Sequence, residues 1–226
     1  MQKIHKLSHD IIAKIAAGEV VERPAYAVKE LIENSIDAKA TSIIIHIENS
    51  GLRKIKVMDN GEGMSKEDLQ ISFLPHTTSK IKYEEELIGI QTLGFRGEAL
   101  SSICSVSNLT IQSRTKKSAS GTTIEIEKGR VEHIGSVGIP SGTIITVDEL
   151  FSPVPARKKF LKERCGCFLP ERTFGIKESH LLSWQEKAYG RCLGQPQALH
   201  RWRPAPRRWP WPTHLSVRQW FRCRWG

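Results

Sequence analysis

The chain of 226 residues carries 34 Lys and Arg against 24 Asp and Glu, a net charge of +10, with 39% hydrophobic residues and five cysteines. That length and composition suit one domain with a sizeable core, or two small ones, and exclude collagen-like, coiled-coil and wholly disordered chains. No run approaches the ~18 apolar residues of a membrane helix, no signal-peptide core opens the chain, and the cysteines lack metal-type pairing, so the expectation is a cytoplasmic protein with reduced thiols and no membrane partner.

Charge is unevenly spread. Residues 1–162 hold 22 basic and 20 acidic side chains, a net of +2, whereas residues 163–226 hold 12 basic and 4 acidic, a net of +8. All six tryptophans follow position 162, while 23 isoleucines precede it and only Ile176 comes after. Composition therefore sets a boundary near Lys162 and Glu163. It divides an ordered region, 1–162, from a basic Trp/Arg/Pro-rich tail, 163–226, whose lack of periodicity predicts disorder, with a short helix possible around 181–189.

Within the first region, Ser8 is a candidate cap for a helix carrying Ile11, Ile12 and Ile15, and Pro24 suits the first position of a second helix. In the second helix Ala27, Val28, Leu31, Ile32 and Ile36 recur at helical spacing, and Glu30, Asn34 and Asp37 share one polar face. Thr41 to Glu48 and Arg53 to Met58 are β-branched runs around Asn49-Ser50-Gly51, which predicts a hairpin. Asp59-Asn60-Gly61-Glu62-Gly63-Met64 then forms a glycine-bearing loop, and Ser65 caps a helix reaching about Phe73. A segment rich in Gly, Ser and Thr, from Thr77 to Gly97, leads into a short helix from Glu98 to about Ser105, and strands follow at 107–114, 121–127, 131–135 and 142–148, the last opened by Thr143. Early helices with mostly antiparallel strands predict an α+β fold, a two-layer α/β sandwich; neither GxxxxGK[ST] nor GxGxxG is present.

Glu30 and Asn34 are one helical turn apart. A carboxylate able to take a proton from water beside an amide oxygen able to ligate a hard cation suits metal-assisted hydrolysis, although the same spacing also describes an ordinary solvated helix face. Asp59 can accept from a base's exocyclic amine or close a turn. Gly94-Phe95-Arg96-Gly97-Glu98-Ala99-Leu100 sets glycines before a helix start, where free N–H groups favour phosphate, or else forms a hinge. The Thr143 hydroxyl can bond a ligand or satisfy a local turn.

Taken together, ENSIDA, DNGEGM, TTSK, GFRGEAL and SGT arrive in one order that resembles the ATP-binding motifs of the gyrase, heat-shock chaperone, histidine-kinase and MutL superfamily, whose fold is the Bergerat type. The runs Ile15 to Pro24, Val28 to Ala38, Leu93 to Leu100 and Pro155 to Leu161 resemble the MutL family in particular. This resemblance implies a DNA mismatch repair protein that binds ATP and magnesium and hydrolyses ATP slowly. Glu30 is then the general base and Asn34 the metal ligand, Asp59 reads the adenine amine, and Gly61 and Gly63 admit the base. Thr78, Ser79 and Lys80 belong to a mobile lid, Gly94, Phe95, Arg96, Gly97, Glu98, Ala99 and Leu100 hold phosphate, and Thr143 lies at the adenine pocket. The implied partners are MutS, downstream nicking and unwinding enzymes, DNA bound without sequence preference, and a second copy of the chain.

After Lys162 the family's continuation is not recognisable: neither the rest of the ATPase domain, nor a second domain with its phosphate-directed lysine, nor a dimerisation domain. The expectation is a domain truncated at its C-terminal end with hydrolysis slow or absent. The tail resembles a coding sequence read in the wrong frame; its alternatives are a diverged tail and a nucleic-acid-binding one, in which Arg neutralises phosphates and Trp stacks on bases. An alternative function is a non-catalytic ATP-binding or sequence-independent DNA-binding fragment.

Overall fold

A computed structural model describes residues 17, 20–78, 97–127, 129–164 and 171–177. Helix α1 spans Pro24–Asp37 and begins at proline, whose fixed φ and missing N–H cost nothing at a helix start. Its stripe of Ala27, Val28, Leu31, Ile32 and Ile36 is buried, as its spacing predicts. Strand β1 (Ser42–Glu48) returns through a short turn, Asn49–Gly51, into β2 (Lys54–Asp59), with Ile47 opposite Ile55, so the expected hairpin forms in register. Helix α2 is Lys66–Ile71, shorter than the sequence suggests; Ser65 Oγ accepts from the Asp68 N–H at 3.1 Å, a cap worth about 1 kcal/mol. Helix α3 is Ala99–Val106.

Strands β3 (Asn108–Arg114), β4 (Gly121–Glu127), β5 (Arg130–Val137) and β6 (Gly142–Asp148) lie close to their predicted positions. Helix α4 (Pro155–Arg164) and strand β7 (Arg172–Lys177) complete the described elements. All seven strands form one antiparallel sheet in the order β5-β4-β3-β6-β2-β1-β7. One face receives the helices, with α1 against β2 and α3, α2 against β4, and α3 against β3. Ile43, Ile45, Ile55, Val57, Leu109, Ile111, Ile124 and Val147 point into that layer and are buried, whereas Ile44 on the opposite face is 41% exposed. Period-2 alternation thus fixes which strand residues meet the helices. The result is the expected α+β two-layer sandwich.

Strand β7 departs from the expectation of a structureless tail. Residues 172–177 pair along β1, with Ile176 opposite Ile43 and Phe174 opposite Ile45. An unpaired β1 edge offers its N–H and C=O groups, and Arg-Thr-Phe-Gly-Ile-Lys alternates so that Ile176 is buried while Thr173 and Lys177 are exposed. Thr143 therefore does not open the final strand. The predicted helices at Ser8 to Ile15 and around 181–189 lie outside the described residues.

Candidate functional site

Asp59 closes β2 at the point where the chain leaves the sheet, and three elements converge on its carboxylate. Oδ1 accepts from the backbone N–H of Gly61 at 2.9 Å and of Thr143 at 3.2 Å, the latter its cross-strand neighbour on β6. Oδ2 lies 3.0 Å from the Ser35 hydroxyl of α1, whose single proton it shares with the Leu31 carbonyl oxygen at 3.1 Å. Burial pushes the Asp59 carboxyl above its ordinary range, and the bonds from Gly61, Ser35 and Thr143 offset that only in part.

The loop after Asp59 is shaped by close backbone approach. Gly63 has φ +71°, and a Cβ there would lie 2.2 Å from the Arg114 carbonyl oxygen; at Gly61 a Cβ would lie 2.6 Å from that of Ala38. Contacts within the chain itself therefore demand glycine at both positions. Asn60 ties the same loop to β1, its Oδ1 accepting from the N–H groups of Thr41 and Ser42, each at 2.9 Å.

On α1, Glu30 and Asn34 stand one turn apart and partly exposed, and Ser35 lies about 100° around the helix from Asn34, facing Asp59. Lys29 Nζ bridges two carboxylates, Glu30 Oε1 at 3.1 Å and Glu33 Oε2 at 2.8 Å. Glu33 is buried, and burial drives its carboxyl upward despite the Lys29 ion pair. For Lys29 burial acts downward, but the Glu33 hydrogen bond and the charges of both carboxylates carry its ammonium above the ordinary value.

Thr143 and Gly61 thus meet at Asp59, Gly63 packs instead against Arg114, and Glu30 and Asn34 share the helix that reaches Asp59. Gly97 and Glu98 lead into α3, which Ala99 and Leu100 begin; Gly97 sits so near Thr77, the neighbour of Thr78, that a Cβ would come 2.4 Å from the Thr77 carbonyl oxygen. Ser79, Lys80, Gly94, Phe95 and Arg96 lie outside the described residues. Sequence reasoning passed over Lys29, Glu33, Ser35 and Ser113. Ser35 sits inside ENSIDA, adjacent to Asn34, but off the polar face traced by Glu30 and Asn34; Ser113 lies in an ordinary strand pattern. Among the described residues no group of three or more His, Cys, Asp or Glu is placed to hold a metal ion. No helix among them is long and apolar enough to cross a membrane.

The sandwich, with an acidic side chain at a strand end facing a polar helix, agrees with a match of residues 22–150 to the family described as histidine kinase-, DNA gyrase B-, and HSP90-like ATPase, and the chain belongs to that family. Its similarity is to the MutL branch: it is 54% identical over 162 residues to the DNA mismatch repair protein MutL of Clostridium beijerinckii and 51% identical over 162 residues to that of Koribacter versatilis. Those matches cover 72% of this chain and 24% and 25% of the two relatives, so the chain spans about a quarter of their length. A crystal structure of the N-terminal domain of a DNA repair protein is similar at a TM-score of 0.56 and 34% identity, covering 67% of this chain and 43% of that one.

Proposed function

We propose that this chain is the ATP-binding portion of a MutL-type DNA mismatch repair protein. The observation that carries the reading is the state of Asp59. Each carboxylate oxygen has two acceptor positions; among the described residues Oδ1 uses both, while Oδ2 meets the Ser35 hydroxyl alone and keeps one for an exocyclic amine. Thr143 and Gly61 hold the other oxygen of the same carboxylate through their backbone N–H groups.

In this reading Glu30 takes the proton from the attacking water, and Lys29 holds its carboxylate in place beforehand. Asn34 offers one amide oxygen to magnesium, a donor set that fits because Mg²⁺ takes few protein ligands and completes its shell with phosphates and water; when bound, the ion neutralises phosphate charge. Thr78, Ser79 and Lys80 form the lid, and Gly94 to Leu100 receive the phosphates at the start of α3. Residues 1–162 constitute the ATP-binding domain, extended by β7, and the remainder is a basic tail. In the whole protein this unit couples mismatch recognition by MutS to nicking and unwinding enzymes, pairs with a second copy and closes on DNA. The concentration of positive charge after residue 162 favours a second reading, a sequence-independent DNA-binding fragment.

The test uses the full chain with ATP and Mg²⁺ in calorimetry and a phosphate-release assay. Asp59→Ala is expected to weaken ATP binding about tenfold or more. Glu30→Ala should abolish any turnover while sparing binding, and Asn34→Ala should remove the magnesium dependence of binding. Equal ATP affinity in the parent and Asp59→Ala would overturn the assignment.

A further inference from the structure

Ser113 sits on β3 directly opposite Thr143, is 1% exposed, and has no part in the reading above. Among the described residues three polar groups surround its hydroxyl: the Met64 N–H at 2.8 Å, the Gly142 carbonyl oxygen at 3.1 Å and Thr143 Oγ1 at 3.0 Å. A serine hydroxyl has one proton and two acceptor positions. The Met64 N–H can only donate and the Gly142 carbonyl can only accept, so the single Ser113 proton belongs to Gly142. For all three bonds to exist, Thr143 must donate to Ser113. The Thr143 hydroxyl is left with lone pairs alone, beside an Asp59 carboxylate that also only accepts.

We propose that Ser113 is a positioning residue for base selectivity: by consuming the Thr143 proton it makes the Asp59 and Thr143 edge of the site an acceptor-only surface, which takes a 6-amino purine and rejects a 6-oxo purine. The proposal rests on the adenine reading of Asp59. Where both acceptors face position 6, the two hydrogens of a 6-amino group can be donated to them, whereas a 6-oxo group brings lone pairs against lone pairs, the kind of mismatch that leaves buried polar groups unpaired and discriminates most strongly. Without the Ser113 hydroxyl, Thr143 is free to turn its proton toward the ligand and accommodate an oxygen.

The experiment measures binding of ATP and of inosine triphosphate, which differ at position 6 and the adjoining ring proton, to the full chain and its variants. Ser113→Ala is expected to lower the ratio of ATP to inosine triphosphate affinity on the order of tenfold, with inosine triphosphate binding gained or held. Ser113→Thr, which keeps the hydroxyl, should retain the parent ratio even where the added methyl lowers thermal stability. An unchanged ratio in Ser113→Ala, with both ligands weakened alike, overturns the proposal and leaves Ser113 a structural residue. Binding of ATP that Asp59→Ala does not weaken, or no ATP binding by the parent, overturns the adenine reading and this proposal with it.

Discussion

Ser35 Oγ lies 3.0 Å from Asp59 Oδ2, a bond that joins the buried flank of α1 to the end of β2 across 24 residues of sequence. The same helix carries Glu30 and Asn34 on its neighbouring face, so the orientation of α1 that lets Ser35 reach Asp59 also fixes where the proposed base and metal ligand stand. Helix and strand end are thereby held as one unit.

The Asp59 carboxyl is the first measurable consequence. Its folded pKa is raised above the ordinary 3.8 by burial. The protonated form is therefore favoured by folding: that contribution is fully present below about pH 3.8 and is lost as pH rises through the folded value. Asp59→Asn keeps the acceptor facing Gly61 and Thr143 and removes the titration. Thermal melts from pH 3.5 to 7 should show the Asn variant gaining on the parent as pH rises; a difference that stays constant with pH would contradict the burial argument.

Lys29 and Glu33 give a second prediction. Removing the ammonium takes from the buried Glu33 carboxylate the cation it has among the described residues, so Lys29→Met should destabilise the chain by about 1–3 kcal/mol in urea unfolding. The double variant Lys29→Met with Glu33→Leu should recover most of the loss, because both charges leave together. Equal destabilisation in the single and double variants would show that packing of the lysine stem, not its charge, is what matters.

Strand β7 is tested through Ile176, buried opposite Ile43. Ile176→Asp should cost about 2–4 kcal/mol and speed amide exchange along β1 and β7, while β3, β4 and β6 keep their protection. Unaltered exchange in β1 would mean that residues 172–177 do not pair with it in solution.

DNA binding separates the two ends of the chain. Residues 178–226 hold eight Arg and one Lys against two Glu, and cutting there leaves β7 intact. Binding by the full chain is expected to be independent of sequence and mismatch and to fall steeply with salt, through counterion release. Deleting 178–226 should remove most of it and leave ATP affinity within about twofold, since a long-range surface charge contributes little to a neutral base contact. Strong mismatch-sensitive binding by the shortened chain would refute this assignment of the charge.

Local pattern made much of the fold legible. The apolar stripe of α1, the Asn49-Ser50-Gly51 turn and the alternation of β3 and β6 are each set by neighbours within a few residues, where periodicity and turn chemistry act directly. The site residues Glu30, Asn34, Asp59 and Thr143 were nominated by the order of their motifs, since each run taken singly admits an ordinary structural reading. The short alternation of Phe174 and Ile176 was present in the sequence too, hidden by the composition of the tail around it.

What tertiary structure alone decided is how distant segments pair. Insertion of β6 between β3 and β2 puts Thr143 beside Asp59 and Ser113 beside Thr143, across 84 and 30 positions respectively. Nothing local marks Ser113 or Ser35 as different from other serines, because a hydroxyl's role depends on which donors and acceptors the packed chain brings to it. Glu33 reads as one more charged residue on a helix, yet it is buried, with the Lys29 ammonium 2.8 Å from its carboxylate. The elements and their apolar faces follow from short-range sterics and hydration; strand order and the hydrogen-bond partners around Asp59 follow from the long-range packing of those faces.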